Sequence, residues 1–156
     1  MSIRSGAMTK LLVLHGPNLN LFGRREPHIY GTTTLAQIDE KLQALARELG
    51  VTVECFQSNH EGALIDKLHQ NIDTVQGALV NPAGLTQHGV ALHDCIKAML
   101  FPVLEVHMSN IAAREAWRSE SIITPAVKGT LQGLGWRSYT AGLRVLAEMA
   151  AESRAT

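Results

Sequence analysis

The chain has 156 residues, of which 46% are hydrophobic, and 14 basic side chains balance 14 acidic ones. This length predicts one domain with a sizeable core, which we expect to span residues 10–156 after a disordered leader over 1–9. The zero net charge argues against nucleic acid or an anionic membrane as the main partner, and no apolar run is long enough for a membrane span. Cys55 and Cys95 lie far apart, which indicates free thiols in a reducing cytoplasm.

Short apolar runs alternate with helical patterns along the chain. Thr34 and Gln37 fit a capping box at the start of the first long helix, and Ser58 and Glu61 fit a second box before the next helix. The predicted strands are 11–14, 51–56, 78–80, 102–108 and 126–134. The predicted helices are 35–49, one that follows Ser58 and runs to Ile72, 90–100 and 139–149, with a helical turn over 113–118.

Strands that alternate with helices predict right-handed crossovers and one parallel sheet covered on both faces. For five strands we expect an α/β flavodoxin-like doubly wound fold with strand order 2-1-3-4-5, in which ligands bind beyond the carboxyl ends of the strands. Residues 17–33 carry charges, Gly and Pro without periodicity, which is typical of a long loop that forms a lid. Functional groups are therefore expected after strands one, three and four.

The fourth predicted strand carries two polar residues where a buried parallel strand should be almost continuously apolar. Glu105 and His107 are two residues apart and so share one face of the sheet. A carboxylate beside an imidazole orients the ring and favours its protonated form, which suits a general acid. A buried Glu–His pair that only satisfies its own hydrogen bonds is an equally good interpretation of this spacing.

Two groups of arginines are candidates for binding or stabilising negative charge. Arg25 precedes Tyr30 in the predicted lid, and guanidinium groups near a phenol favour tyrosinate, a possible base. Arg114 and Arg118 are four residues apart and share a helix face, which suits an anionic substrate. Without further context, a solvated charged loop and solvated surface cations explain these patterns as well.

Several common site patterns are missing from the sequence. The histidines include no HxxxH or HExxH, and the glycines form no GxGxxG or P-loop. There is no GxSxG nucleophile elbow, and neither cysteine has an obvious histidine partner in the sequence. We therefore expect no metal site.

Six motifs stand in order along the chain. The first is LLVLHGPNLNLFGRREPHIYGTTTL at residues 11–35. The motifs that follow are QSNHEGALIDKLHQ, NPAGLT, VALHD, LEVHMSNIAAREAWR and GLGWRSYTAGLRVL. Together they resemble the motifs of the type II 3-dehydroquinate dehydratases. The resemblance covers residues 10 to about 150, and six motifs at the family's spacing make it specific.

The resemblance implies an enzyme, a hydro-lyase that dehydrates 3-dehydroquinate to 3-dehydroshikimate by trans elimination, with no metal, Schiff base or other cofactor. It implies that Tyr30, as tyrosinate, removes the proton next to the ketone, while Arg25 and Arg114 stabilise charge near it. Asn18 would hold a water at the developing enolate oxygen. The same family serves aromatic amino acid biosynthesis through the shikimate pathway and quinate catabolism.

The remaining implied roles concern the leaving group, substrate binding and assembly. His107, oriented by Glu105, would protonate the departing hydroxyl. The resemblance also implies a homododecamer built as a tetramer of trimers, in which Asp94 reaches a neighbouring subunit's site. The substrate would be bound by Asn81, Gln87, Met108, Ser109 and Arg118, together with that Asp94.

The chain departs from the family pattern after the third strand. The usual Thr-His-Thr-Ser is Thr86-Gln87-His88-Gly89 here, so Gln87 takes the place of a substrate-binding histidine. The arginine before the bridging aspartate is His93, and the usual His-His-Ser-Tyr is 119–122, Ser-Glu-Ser-Ile. A divergent relative that acts on another cyclic hydroxy ketone is therefore an alternative, and a flavodoxin-like binding module is a weaker one.

Overall fold

The computed structural model describes residues 6–156 and contains a five-stranded sheet with the order β2-β1-β3-β4-β5. All four strand pairs are parallel, so the predicted strand order is confirmed. The first five residues of the predicted leader lie outside the described residues. The strands are β1 Lys10–His15, β2 Thr52–Gln57, β3 Gly77–Asn81, β4 Val103–His107 and β5 Gly129–Gln132. The last strand is shorter than predicted because residues 124–126, which include Pro125, form a 3-10 turn.

Helices cover both faces of the sheet, as predicted. They are α1 Pro27–Tyr30, α2 Leu35–Leu49, α3 Glu61–Gln70, α4 Val90–Ala98 and α5 Arg137–Ala155. One apolar cluster joins α2 and α5 to side chains such as Leu11 and Val13, and a second joins α3 and α4 to Leu12 and Leu14. Because successive residues of β1 enter opposite clusters, every residue of β1 after Lys10 is buried, and so are β3 and β4. Within residues 6–156, no helix is long and apolar enough to cross a membrane.

One of the two predicted capping boxes forms. The Thr34 hydroxyl accepts from the Gln37 amide at 3.2 Å, and the Gln37 side chain accepts from the Thr34 amide at 2.9 Å. The second box is wrong, because α3 begins only at Glu61 and Ser58 accepts from His60 instead. The Glu61 carboxylate accepts from the Leu92 amide at 3.2 Å, so it serves the amino terminus of α4.

Residues 17–33 hold more regular structure than the predicted loop. They contain a 3-10 turn at Leu19–Leu21 and the four-residue helix α1. Both are single turns, which are too short to show helical periodicity in the sequence. Each begins after a residue with positive φ, Asn18 at 68° and Glu26 at 39°, and Pro27 opens α1.

The loops after β1 and β3 meet at the carboxyl edge of the sheet. The Gly16 amide donates to the Asn81 carbonyl at 2.8 Å. A Cβ at Gly16 would lie 2.6 Å from the Pro82 carbonyl oxygen, so only glycine permits this approach. This contact brings the residues that follow β1 next to those that follow β3.

Candidate active site

A cavity of about 390 Å³ opens beyond the carboxyl ends of β1, β3 and β4. This is the position that a doubly wound sheet predicts for a ligand. Every site residue predicted from the sequence lines the cavity except Glu105 and Asp94. The predicted residues that line it are Asn18, Arg25, Tyr30, Asn81, Gln87, His107, Met108, Ser109, Arg114 and Arg118.

His107 ends β4 and is held from behind by Glu105. The His107 Nε2–H donates to Glu105 Oε2 at 2.6 Å, and both side chains are almost wholly buried. With Nε2 engaged, Nδ1 is the ring nitrogen left to act on a bound molecule, as an acceptor in the neutral ring and a donor in the charged one. The pair therefore presents an oriented imidazole at the cavity wall.

Three side chains donate to the Glu105 carboxylate. Besides His107, the Ser121 hydroxyl donates to Oε2 at 2.8 Å and the Thr124 hydroxyl donates to Oε1 at 2.5 Å. Burial acts to raise the pKa of Glu105, but the hydrogen bonds from His107, Thr124 and Ser121 outweigh it and hold the pKa below its usual value. Glu105 therefore remains a carboxylate and places a negative charge against the His107 ring.

Tyr30 faces the cavity from the end of α1, between two arginines. Arg114 Nη1 donates to the Tyr30 hydroxyl at 2.8 Å, and the guanidinium carbons of Arg114 and Arg25 lie 5.2 and 4.9 Å from the ring centroid. The Phe22 ring packs against the other side at 5.7 Å. Two positive charges therefore lie beside the Tyr30 phenol at the cavity wall.

Arg118 forms another part of the wall, next to Trp117. The helix predicted over 113–118 does not form, because Arg114 has extended backbone between two 3-10 turns, so Arg114 and Arg118 do not share a helix face. The Arg118 guanidinium carbon lies 4.0 Å from the centroid of the Trp117 ring. Its Nε lies 3.0 Å from a Glu115 carboxylate oxygen but lacks the alignment of a hydrogen bond. The Arg118 guanidinium is thus oriented by stacking and charge, with capacity left for an anionic group.

Gln87 and His88 both line the cavity, but they are engaged differently. Gln87 Nε2 donates to the carbonyl oxygens of Arg118 and Glu120, at 3.1 and 3.3 Å. The His88 side chain is exposed at the cavity edge. Gln87 therefore ties the loop after β3 to the segment that carries Arg118, while His88 is free to meet a bound molecule.

Each of the two asparagines of the site is fixed by a hydrogen bond between a backbone amide and an asparagine side chain. Asn18 has a left-handed backbone, and its amide donates to the Asn59 side chain at 2.9 Å. Asn81 Oδ1 accepts from the Ala83 amide at 3.1 Å, and its Nδ2 donates to the Tyr139 hydroxyl at 2.9 Å. Ala83 has a φ of 51°, a strained value for alanine, so the loop after β3 stores strain beside the cavity.

Asp94 lies outside the cavity of its own chain. It is on α4 with 73% of its side chain exposed, where His93 Nδ1 lies 3.0 Å from its carboxylate. This is a surface position. Met108 and Ser109, by contrast, follow β4 directly and line the cavity beside His107.

Among residues 6–156, one group has metal-ligand atoms close together, namely His15, Asp39 and Cys55 within 4.8 Å. His15 Nε2 and Asp39 Oδ1 already form a hydrogen bond with each other at 2.7 Å. Burial, with the nearby Asp39 carboxylate, raises the pKa of the Cys55 thiol and keeps it protonated. A thiol must lose its proton to bind a metal well, so this group suits a hydrogen-bond network better than an ion.

Four residues at or behind the site had no recognisable signal in the sequence. Ser121 and Thr124 bind Glu105 from a stretch without periodicity, and Phe22 lies in a stretch predicted as loop. Tyr139 is wholly buried, and it was placed only as part of the closing helix. Ser121 followed by Thr124 before a proline is a turn pattern, and it is the one available hint.

Comparisons with known proteins agree with this geometry. Residues 9–147 match the family model described as Dehydroquinase class II. A 3-dehydroquinate dehydratase of Desulforudis audaxviator is 52% identical over 145 residues, covering 93% of this chain and 97% of the relative. One from Gloeobacter violaceus is 48% identical, covering 90% of this chain and 88% of the relative.

The crystal structure of type II dehydroquinase from Propionibacterium acnes has a TM-score of 0.87 and 40% identity, covering 91% of this chain and 99% of that one. A type II dehydroquinase from Butyrivibrio crossotus has a TM-score of 0.88 and 34% identity, covering 90% and 99%. With its sheet order, its cavity and these relatives in agreement, the chain belongs to the class II dehydroquinase family.

Proposed function

We propose that this protein dehydrates 3-dehydroquinate to 3-dehydroshikimate through an enolate, with Tyr30 as base and His107 as acid. One observation carries the proposal. In the same cavity, the Tyr30 phenol is hydrogen-bonded to a guanidinium at 2.8 Å. The His107 imidazole is hydrogen-bonded to a buried carboxylate at 2.6 Å. Loss of water β to a ketone needs a base and an acid, and these two pairs supply them.

In the first step, Tyr30 as tyrosinate takes the proton from the carbon next to the ketone. The electrons of that C–H bond move into the enolate, so negative charge leaves the phenol and reaches the ketone oxygen. Arg114 and Arg25 place positive charge beside the Tyr30 phenol before the step. Asn18, at the cavity wall, holds a water that donates to the enolate oxygen.

In the second step, the enolate collapses and expels the hydroxyl β to the carbonyl. The proton of His107 joins this hydroxyl, which leaves as water, and the new C=C bond conjugates with the ketone. Glu105 keeps the imidazolium oriented and compensates its charge. A proton returned from Tyr30 to His107 through solvent resets both groups, so no cofactor is consumed.

Substrate binding falls to the polar groups around the rest of the wall. Arg118 suits the substrate carboxylate, because a guanidinium with free donors matches a carboxylate in geometry. Asn81, Ser109, the Met108 backbone and the loop of Gln87 offer hydrogen bonds to the ring hydroxyls.

The assembly and setting follow from the family resemblance. We propose a homododecamer of four trimers in the cytoplasm, in which the exposed Asp94 reaches a neighbour's cavity. The product enters the shikimate pathway for aromatic amino acid biosynthesis or arises in quinate catabolism. Light scattering tests the assembly: a mass near twelve chains, or three, supports it, and a fully active monomer contradicts the role of Asp94.

The direct test of the function is an absorbance assay with purified protein and 3-dehydroquinate. The product is a conjugated enone, so its absorbance rises as water is lost. A related hydroxy ketone remains a second candidate substrate because Gln87 bonds to backbone carbonyls at 3.1 and 3.3 Å where a histidine would bind substrate in the family. Faster turnover of another cyclic hydroxy ketone than of 3-dehydroquinate would favour this second candidate.

A further inference from the structure

A buried chain of hydrogen bonds runs behind the cavity and joins four elements of the fold. Asp39 on α2 bonds to His15 Nε2 at 2.7 Å, and His15 Nδ1 bonds to the Tyr139 hydroxyl at 3.1 Å. The Tyr139 hydroxyl accepts from Asn81 Nδ2 at 2.9 Å. His15 and Tyr139 are wholly buried, and Asn81 is 4% exposed, so each polar atom here needs its partner.

The two ends of this chain fix its direction. At one end, the Ala83 amide can only donate, so it requires Asn81 Oδ1 and turns Nδ2 toward Tyr139. At the other end, the Asp39 carboxylate can only accept, so it requires a proton on His15 Nε2. Tyr139 then accepts from Asn81 and donates to His15 Nδ1. Burial raises the pKa of Tyr139, although the Asn81 hydrogen bond opposes this, so the phenol keeps the proton that it donates.

We infer that Tyr139 and His15 are positioning residues, which lock the Asn81 amide in the one orientation that binds substrate. The inference rests on the proposed binding role of Asn81. With one N–H given to Tyr139 and one lone pair given to Ala83, the amide keeps one donor and one acceptor in known places. If the hydroxyl of Tyr139 is lost, the amide keeps only its bond to Ala83, and its orientation is less well defined.

The test is a double-mutant cycle on turnover of 3-dehydroquinate. Tyr139→Phe keeps the ring and removes only the hydroxyl. We expect KM to rise about 3- to 10-fold, the range that one neutral hydrogen bond covers, with kcat changed less than twofold. In an Asn81→Ala background, Tyr139→Phe should change KM less than twofold, because the group that it positions is gone.

Leu143→Ala is the matched control. Leu143 is also wholly buried on α5, so this variant loses stability without touching the hydrogen-bond chain. We expect a lower Tm with KM unchanged. If Leu143→Ala raises KM as much as Tyr139→Phe does, Tyr139 acts through general stability and the inference fails.

The remaining outcomes separate the inference from the proposed role of Asn81. If Asn81→Ala itself leaves KM unchanged, Asn81 does not bind substrate, and both its proposed role and the inference are wrong. If Asn81→Ala raises KM but Tyr139→Phe does not, only the inference is wrong. The same holds if the effects of the two substitutions on KM are fully additive. If Tyr139→Phe does not fold, Asp39→Ala, at a half-exposed position, takes its place in the cycle. We expect Asp39→Ala to raise KM about twofold, and this rise should be absent in the Asn81→Ala background.

A readout independent of activity is the tautomer of His15. Nitrogen NMR of the wild type should show a neutral ring with the proton on Nε2 and an accepting Nδ1. In Tyr139→Phe the Nδ1 signal should move toward that of a free lone pair. A proton found on Nδ1 in the wild type would mean that Tyr139 does not donate to His15, and it would overturn the role of His15 in the inference.

Discussion

His107 ends an interior strand of the sheet, whereas Tyr30 ends a four-residue helix in the segment after β1. All five residues of β4 are buried, and Glu105 behind His107 accepts hydrogen bonds from three side chains. Among the described residues, the Tyr30 hydroxyl has one hydrogen bond, from Arg114, and its ring is partly exposed.

The two regions therefore obtain their chemistry in different ways. The proposed acid side, at His107, is built into the core, so its geometry exists before any substrate arrives and contributes to stability. The proposed base side, at Tyr30, is assembled from two segments, because Arg25 lies in the segment of Tyr30 and Arg114 follows β4. Variants on the acid side should lower both activity and stability, and variants on the base side should lower activity alone.

The largest effect is expected for His107→Asn. Asparagine can hydrogen-bond but cannot transfer a proton near neutral pH, so kcat should fall about 10³- to 10⁴-fold, near the upper range of acid–base contributions, while KM changes little. Thermal unfolding should show a lower Tm, because the buried Glu105 loses a charged partner. Val106→Ala, on the other face of β4, is the control, with lower Tm and normal kcat. A variant whose only defect is a raised KM would move His107 to a binding role.

The base side is tested by Tyr30→Phe, which removes one oxygen from a partly exposed ring. We expect kcat to fall at least about 10²-fold, because the proton acceptor is gone. The Tm should stay within about 2 °C of the wild type, because this position contributes little to the core. His28→Gln, an exposed change on the same helix, should leave both values unchanged. More than a tenth of the wild-type rate in folded Tyr30→Phe would exclude Tyr30 as the base.

Glu105→Gln separates orientation from charge on the acid side. Glutamine retains an oxygen for His107, and the Thr124 hydroxyl can rotate to accept from its amide. A lost charge-assisted bond costs about 1.5–3 kcal/mol, so kcat should fall about 10- to 150-fold. Unchanged kcat in the variant would mean that the charge of Glu105 does not assist His107.

The same variant has a predicted pH signature in stability. The pKa of Glu105 is lowered on folding from its ordinary value of 4.5, so its stabilising contribution is complete above about pH 4.5 and is lost as the pH falls through the folded-state value. The difference in unfolding free energy between the wild type and Glu105→Gln should therefore be largest near pH 7 and narrow in acid. Glu54→Gln, at another carboxylate with a lowered pKa, should show an acid-dependent change with normal kcat. A difference that is constant with pH would contradict the ionised state of Glu105.

The sequence predicted the fold and the contact between Glu105 and His107 for the same reason. Alternating strands and helices leave few possible sheet orders, and Glu105 and His107 stood out because a buried strand rarely carries charge. The expectation that they share a face needs only the two-residue period of a strand. Local rules were sufficient here because the relevant contact lies within one element.

Contacts between distant segments were beyond such rules. Ser121 and Thr124 reach Glu105 across 16 and 19 residues from a stretch with no period. Tyr139 meets His15 across 124 residues, and a helix pattern cannot tell a buried tyrosine with a polar role from an apolar core residue. Glu61 fits a capping box by its local sequence, but its carboxylate accepts a hydrogen bond from the amino terminus of α4 instead.

The smallest predicted effect concerns the loop of Gln87, which lies between the two regions. Its amide donates to the carbonyls of Arg118 and Glu120, so it holds the segment that orients Arg118 toward the cavity. Gln87→Ala should raise KM about 3- to 30-fold through two lost neutral hydrogen bonds, with kcat nearly unchanged. Gln87→Glu should do more harm, because a carboxylate cannot donate to two carbonyl oxygens.

His88 and Gln70 supply the comparison for Gln87. His88 is exposed at the cavity edge, so His88→Ala should raise KM only about 2- to 3-fold, the lower range of one neutral hydrogen bond. Gln70→Ala, at an exposed position at the end of α3, should leave KM unchanged. Steady-state kinetics on Gln87→Ala, His88→Ala and Gln70→Ala show which residue of the loop assists substrate binding. If His88→Ala is the damaging change and Gln87→Ala is silent, the histidine one residue later has taken over substrate binding and the loop contacts of Gln87 are dispensable. If neither variant alters kcat/KM for 3-dehydroquinate, this loop does not bind that substrate, and a different cyclic hydroxy ketone becomes the better candidate for the cavity.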